Sequence, residues 1–256
     1  MHANSYEKTI EWLFQQFPSY QLIGSKAYKP TLENISKLCQ RIGNPEKALR
    51  FLHIAGTNGK GSCSAMTASV LTESRETVGL FTSPHLIDFR ERIRVNGTMI
   101  SEENVVSFVE RVQAEQLDFE PSFFEITFAM ALDHFKRSAC TICVIETGLG
   151  GRLDATNIIE PIACLITNIS LEHTQILGNS LPQIATEKAG IIKTNKPVVI
   201  GEIVPETEPI FREIAFSKNA KVHIAQELIS KERLEQFTTP LQGSYQKNNL
   251  RSVLSL

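Results

Sequence analysis

Residues 51–62 read FLHIAGTNGKGS. Four mostly apolar residues run into a turn with three glycines and one lysine, and a helical pattern follows. A strand that ends in such a turn can aim successive backbone N–H groups at one point. The N-terminus of the next helix adds partial positive charge and Lys60 adds a full one, so the segment is built to cradle the phosphates of a nucleotide. The spacing departs from GxxxxGK[ST], because Gly61 stands where a metal-binding hydroxyl is usual. Any Mg²⁺ here must find its oxygen ligands elsewhere, and Ser62, one residue late, falls in the start of the helix.

The same alternation continues outward from this turn. Leu52–Ala55, Thr77–Phe81, Thr141–Ile145, Ile162–Thr167, Pro197–Ile200 and Lys221–Ile224 read as strands. Most are continuous apolar runs, as expected where both faces of a sheet are covered. Helical periodicity fills Gly61–Glu73, Glu102–Glu115, Phe123–Lys136, Pro182–Ile192 and Glu206–Ser217. This order predicts an α/β fold, a largely parallel sheet with helices on both faces. Asn96-Gly97 between short β-prone runs marks a small hairpin insertion. Ser101, followed by Glu102 and Glu103, suits a helix N-terminus. The first 45 or so residues are expected to hold one helix, Ser5–Gln16, and a loop with Gly24 and Pro30, ahead of an α/β core over 46–256.

Composition narrows the function. The chain has 256 residues, a formal net charge of −2, 42% hydrophobic and 21% charged residues, which is ordinary for a globular protein. Near-neutral charge argues against a nucleic-acid binder, and no apolar run is long enough to cross a membrane. The N-terminus lacks the features of a secretion signal. Five cysteines in apolar stretches point to a reduced, cytoplasmic protein, and Cys140-x-x-Cys143 has no second pair that would make a metal site.

Chemistry-bearing residues recur where strands end, the place where open α/β sheets bind ligands. Ser83, in LFTSPH, is either a turn residue or the missing oxygen ligand, and Pro84 keeps it extended. Glu146 closes the apolar run ICVIE and is placed to ligate Mg²⁺ or a water on it. GLGGRLDATN (148–157) then offers Arg152 and Asp154 as possible grips on a polar substrate. His173 follows in SLEHTQ, and Lys188 and Lys193 fall on the helix of EKAGIIK, where lysines are commonly surface residues.

Taken together, IAGTNGKGS, LFTSPHL, IETGLGGRLDATN, TNISLEHTQILG and IATEKAGIIK resemble the folylpolyglutamate synthase/dihydrofolate synthase branch of the Mur ligase superfamily, in order and spacing, over essentially the whole chain. Glycine after Lys60 is typical of the folate branch. The resemblance implies a P-loop-containing Mur-ligase-type central ATPase domain. It implies ATP-dependent amide formation, in which a substrate carboxylate becomes an acyl phosphate that L-glutamate then attacks. Dihydropteroate, folates, L-glutamate and ATP are the implied partners, handled by a monomer without nucleic acid or membrane.

Residue by residue, the resemblance assigns Asn58, Gly59, Lys60 and Gly61 to the ATP phosphates and Asn249 to the adenine. Ser83, Glu146 and His173 match magnesium ligands. Lys188 matches a lysine carboxylated by CO₂ (N6-carboxylysine) that helps to bind a second Mg²⁺. Ser122, Phe123, Phe124 and Glu125, with Leu153, Asp154 and Ala155, match the pterin or folate pocket. Lys60, His173 and Lys188 are the catalytic expectations. Glu172 replaces the usual Asp before the histidine. A second α/β domain of about 150 residues, an ordinary domain size, is expected in the family and not found in 1–256, so weak turnover is expected of this chain alone. Two rival readings are another Mur-type carboxylate–amine ligase and an inactive ATP-binding module.

Overall fold

Phe51–Ala55 (β1) is buried along its whole length, at the middle of the sheet. The computed structural model describes residues 3–17 and 31–256, so the loop expected around Gly24 and Pro30 lies outside the described residues. The other strands are β2 (Val78–Phe81), β3 (Ile93–Val95), β4 (Thr98–Met99), β5 (Ile142–Glu146), β6 (Ala163–Ile166), β7 (Val198–Ile200) and β8 (Val222–Ile224). Their order is β4-β3-β2-β5-β1-β6-β7-β8. From β2 to β8 the pairing is parallel; β3 and β4 are antiparallel and form the expected hairpin at one edge. Asn96 (φ 48°) and Gly97 (φ 79°) take the two left-handed positions of its turn, the conformation that an Asn-Gly pair tolerates best.

The described α-helices are α1 (Ala3–Gln16), α2 (Glu33–Arg41), α3 (Lys60–Glu73), α4 (Glu102–Ala114), α5 (Phe123–Arg137), α6 (Thr174–Leu177), α7 (Leu181–Ala189), α8 (Glu208–Ser217), α9 (Ala225–Leu228), α10 (Lys231–Leu234) and α11 (Gln246–Leu254), with short 3-10 turns at Pro45–Ala48, Phe89–Arg92 and Ala155–Ile158. Alternate residues along each strand sort them onto two faces. Phe51, Phe81, Cys143 and Ile145 pack under α1, α2, α4 and α5. Further along the same face, Cys164, Ile166, Val198 and Ile200 pack under α7 and α8. Leu52, Ile54, Val78, Val144, Leu165 and Val199 point the other way, toward Cys63 and Ala68 of α3 and Val253 of α11. Both faces are therefore covered, as the continuous apolar strands require. No described helix is long and apolar enough to cross a membrane.

Three sequence expectations need correction. Residues 33–41 were expected in a loop but form α2. Ile35, Leu38 and Cys39 line its buried face, a helical spacing too short to stand out among the polar residues around it. The helix expected over Pro182–Ile192 stops at Ala189; Gly190, just past its end, packs so close to the backbone of Arg152 that a Cβ there would lie 2.4 Å from it. Lys193 is consequently off the helix, with its ammonium on the Asn157 carbonyl at 2.9 Å. Lys188 is only 1% exposed, contrary to the surface position expected of it. The Ser101 cap is present, accepting from the Asn104 amide, and all five cysteines are unpaired and buried.

His53, in the middle of β1, is fully buried. Burial pulls its pKa down from 6.5 to about 3, and nearby Lys193 acts in the same direction. The unfolded chain therefore binds a proton at this site that the folded chain refuses. Stability should fall as pH drops below 6.5, with this group contributing up to about 1.4 kcal/mol per pH unit. Urea unfolding between pH 6.5 and 5 should show that slope, and His53→Gln should remove it.

Candidate active site

Four adjacent parallel strands, β2, β5, β1 and β6, end on the same edge, and the loops after them form the site. The turn after β1 is anchored by the loop after β6. Thr57 N donates to the Asn168 carbonyl (2.9 Å) and Asn58 N to the Asn168 side-chain oxygen (2.9 Å). The Thr167 hydroxyl donates to the Asn58 carbonyl (2.6 Å), and Thr57 exchanges bonds with Ser170. Gly59 (φ 79°) then starts α3. It must be glycine for a second reason: a Cβ would lie 2.2 Å from Asn249 Oδ1. Asn249 lies buried beneath the turn, with its amide on Gln246 (2.8 Å).

Two lysines converge on one carbonyl. Lys60 Nζ donates to Gly56 O and Thr57 O, both at 3.0 Å. Lys188 Nζ reaches the same Gly56 O at 2.7 Å and pairs with Glu172 Oε1 at 2.7 Å. Burial lowers the Lys188 pKa to about 8, partly opposed by Glu172 and reinforced by Lys60. Positive charge is thus concentrated at the turn, with one carboxylate, itself only half-buried, to balance Lys188.

Glu146, 3% exposed, faces this charge from the end of β5. Burial raises its pKa to about 7; a bond from the Ser83 amide, then Lys60, act against the shift. That bond, Ser83 N to Glu146 Oε2, is 3.0 Å long, so the Ser83 backbone and the Glu146 carboxylate meet. Gly61 faces them, and a Cβ there would remain 3.7 Å from Glu146. A groove of about 550 Å³ opens from Gly61, Ser83 and Glu146 along Ser69 of α3 to the hairpin turn. His173 stands exposed at the left-handed residue (φ 45°) that opens α6, next to Glu172. Among the described residues no three His, Cys, Asp or Glu side chains form a ready metal cage.

The expected substrate segments divide. Ser122 and Glu125 form a reciprocal cap at the start of α5. Phe123 turns into the core, stacked on Phe14 at 4.6 Å. Phe124 packs against Gly148, where a Cβ would meet its ring at 2.6 Å. Leu153 is half-buried, and Asp154 and Ala155 are buried. Both oxygens of Asp154 are occupied by its own loop, accepting from Gly148 N (3.0 Å), Leu149 N (2.8 Å) and Thr156 N (3.0 Å). Arg152 pairs with Glu187. Asp154 thus holds its own loop together, and Arg152 ties that loop to Glu187 of α7.

The Mur ligase middle domain profile matches residues 54–255. The chain belongs to the Mur ligase family. It is similar to the dihydrofolate synthase/folylpolyglutamate synthase of Bacillus subtilis, with 41% identity over 246 residues, 86% of this chain and 57% of that protein. It superposes on the folylpolyglutamate synthase of Thermotoga maritima with a TM-score of 0.83 at 33% identity, covering 99% of this chain and 62% of that one. It also superposes on E. coli FolC in complex with DHPP and ADP, with a TM-score of 0.76 at 33% identity over 86% of this chain and 51% of that one. This Mur ligase chain therefore spans between half and two thirds of these relatives.

Sequence reading missed the anchors of the Mur ligase turn, Thr167, Asn168 and Ser170, and the partner of Lys188, Glu172. TNIS and SLEH were visible as strand-end motifs, but polar residues in a loop do not announce which backbone they will hold. Lys188→Met gives a direct check. Burial of the charged lysine costs stability below pH 8, and the cost disappears as pH rises from 8 to 10.5, where the folded chain has released the proton and the unfolded chain has not. Lys188→Met should therefore flatten stability against pH over 8–10.5, measured by chemical unfolding.

Proposed function

We propose that the chain carries the nucleotide and carboxylate-substrate sites of a ligase that joins L-glutamate to dihydropteroate or to folates, at the expense of ATP. One observation carries this reading: the Lys60 and Lys188 ammonium groups share the Gly56 carbonyl, beside a carboxylate held by the Ser83 amide. Paired cations facing a buried carboxylate suit a metal–polyphosphate better than a neutral ligand. The E. coli relative with DHPP and ADP supports the choice of substrates.

In this reading the turn from Asn58 to Gly61 orients the ATP phosphates through backbone N–H groups and the α3 N-terminus, and Lys60 swings from Gly56 onto the β/γ-phosphates. Asn249, against Gly59, supports the adenine side. The donor set fits Mg²⁺. Glu146 is a desolvated carboxylate whose charge is unfavourable until a cation joins it, Ser83 adds a hydroxyl, and Gly61 keeps the space between them clear. Ser83, Glu146 and His173 would hold the ion, and Mg²⁺, when bound, neutralises charge on the phosphates. The lowered pKa of Lys188 makes its neutral amine available to add CO₂ with loss of a proton, giving the N6-carboxylysine that would serve a second Mg²⁺. Phe124 and the 153–155 segment would line the aromatic part of the substrate.

The chemistry needs activation because a carboxylate is anionic and its oxide is a poor leaving group. Transfer of the γ-phosphoryl group gives an acyl phosphate and ADP; the glutamate amine attacks the acyl carbon, and phosphate leaves. The protein's contribution is alignment and charge neutralisation. The unpaired thiols suit a reducing compartment, and we place the enzyme in the cytoplasm as a monomer.

The test is incubation with MgATP, L-glutamate and either dihydropteroate or tetrahydrofolate, with products identified by mass. ADP formation that depends on the pteroate or folate, with a product heavier by one glutamyl residue, is the expected result. Glu146→Gln and Lys60→Ala should each reduce ADP formation at least about 100-fold. ADP release driven by an unrelated carboxylate, but not by pteroates or folates, would favour another Mur-type ligase.

A further inference from the structure

His53 sits at the centre of the sheet, one residue of a strand otherwise made of Phe51, Leu52, Ile54 and Ala55. A histidine there is costly to bury unless it is satisfied. Its Nε2 lies 2.8 Å from Thr156 Oγ1, and Thr156 Oγ1 lies 2.5 Å from Asp154 Oδ1. Asp154 also accepts the amides of Gly148, Leu149 and Thr156. A line of hydrogen bonds thus leaves the middle of β1 and ends on the loop that follows Glu146.

The direction of the protons follows from the orphan. His53 Nδ1 is buried without a partner. Asp154 receives three N–H groups, which fix it as an acceptor, so the Thr156 hydroxyl donates to it. Thr156 must then accept from His53, which places the ring proton on Nε2 and leaves a bare lone pair on Nδ1. The opposite order would bury an unpaired N–H, the rarer and costlier orphan. Neutral imidazole is also what burial enforces.

We propose that His53 is a positioning residue for the carboxylate substrate: through Thr156 it locks Asp154, and Asp154 fixes the amides of Gly148 and Leu149, which keeps Gly148 against the Phe124 ring at the wall of the substrate pocket. This rests on the functional reading given above for Phe124 and 153–155. Gly148 is the sensitive point, because a Cβ there would meet the Phe124 ring at 2.6 Å and it lies two residues after Glu146. If Asp154 turned, the two amides would lose their acceptor and the wall would shift. The nucleotide turn, held by Asn168 and Ser170, does not depend on this line of bonds.

Three readouts test it on the intact chain with wild type, Thr156→Val, Thr156→Ser, His53→Leu and His53→Gln, the last because the glutamine amide N–H stands where Nε2–H was. Imidazole ¹⁵N spectra should show His53 with the proton on Nε2. Exchange of the Leu149 amide should accelerate about tenfold or more in Thr156→Val and His53→Leu and recover in Thr156→Ser and His53→Gln. Affinity for dihydropteroate or tetrahydrofolate should fall about tenfold in the first two variants and recover in the second two, with MgADP affinity within about twofold throughout. A proton on Nδ1, unchanged Leu149 exchange, or equal losses for both ligands that track thermal stability would overturn the proposal. If wild type binds MgADP but neither pteroate nor folate, the functional reading and the substrate role fail together, while the spectra and exchange still decide whether the line of bonds exists.

Discussion

The carbonyl oxygen of Gly56 accepts two ammonium groups, and the rest of the site is arranged around that contact. Lys60 comes from the helix that follows the turn and Lys188 from α7, on the opposite face of the sheet. Bringing two cations to one acceptor is unfavourable without compensation, and burial makes it more so. Glu172 compensates Lys188. What remains is a local excess of positive charge at a backbone turn, and such an arrangement is stable only because the turn cannot move. Thr167, Asn168 and Ser170 supply that rigidity by tying the end of β6 to the end of β1.

The sheet order explains why these groups meet. With β1 between β5 and β6, and β2 beside β5, residues distant in sequence finish on one edge: Lys60, Ser83, Glu146 and His173 each follow one of four neighbouring strands. The two-faced packing of those strands fixes the edge. Alternate side chains lock into separate apolar clusters, so a one-residue slip would exchange buried faces on both sides. The chemistry at the loops is thereby referred to a rigid reference, as a reaction that depends on alignment requires.

Much of this was legible in the sequence, where the physics is local. FLHIAGTNGKGS reports its own strand, turn and helix; Asn96-Gly97 its hairpin; Ser101 its cap. Strand-end positions of Ser83 and Glu146 followed from apolar runs that stop abruptly. The strand-end motifs added a family resemblance but not contacts. What could not be read depends on partners far along the chain: Glu172 on Lys188, Asn168 on Asn58, His53 on Thr156, and the turning of Phe123 away from its neighbour Phe124. α2 was missed for a related reason, since its apolar face is only a few residues long and gains meaning from α5, the helix it packs against. Burial of Lys188 shows the same limit, because a lysine's exposure is decided by what folds over it.

The account depends on the Gly56 cluster being the place where a metal–nucleotide binds. Titration of the ¹⁵N-labelled chain with MgADP, followed by amide chemical shifts, tests that most directly. The largest shifts should fall on Gly56–Ser62, Ser83, Glu146 and the Thr167–Ser170 anchor, and Lys60→Ala should weaken binding about tenfold or more. Shifts confined to other surfaces, or binding indifferent to Lys60, would contradict it.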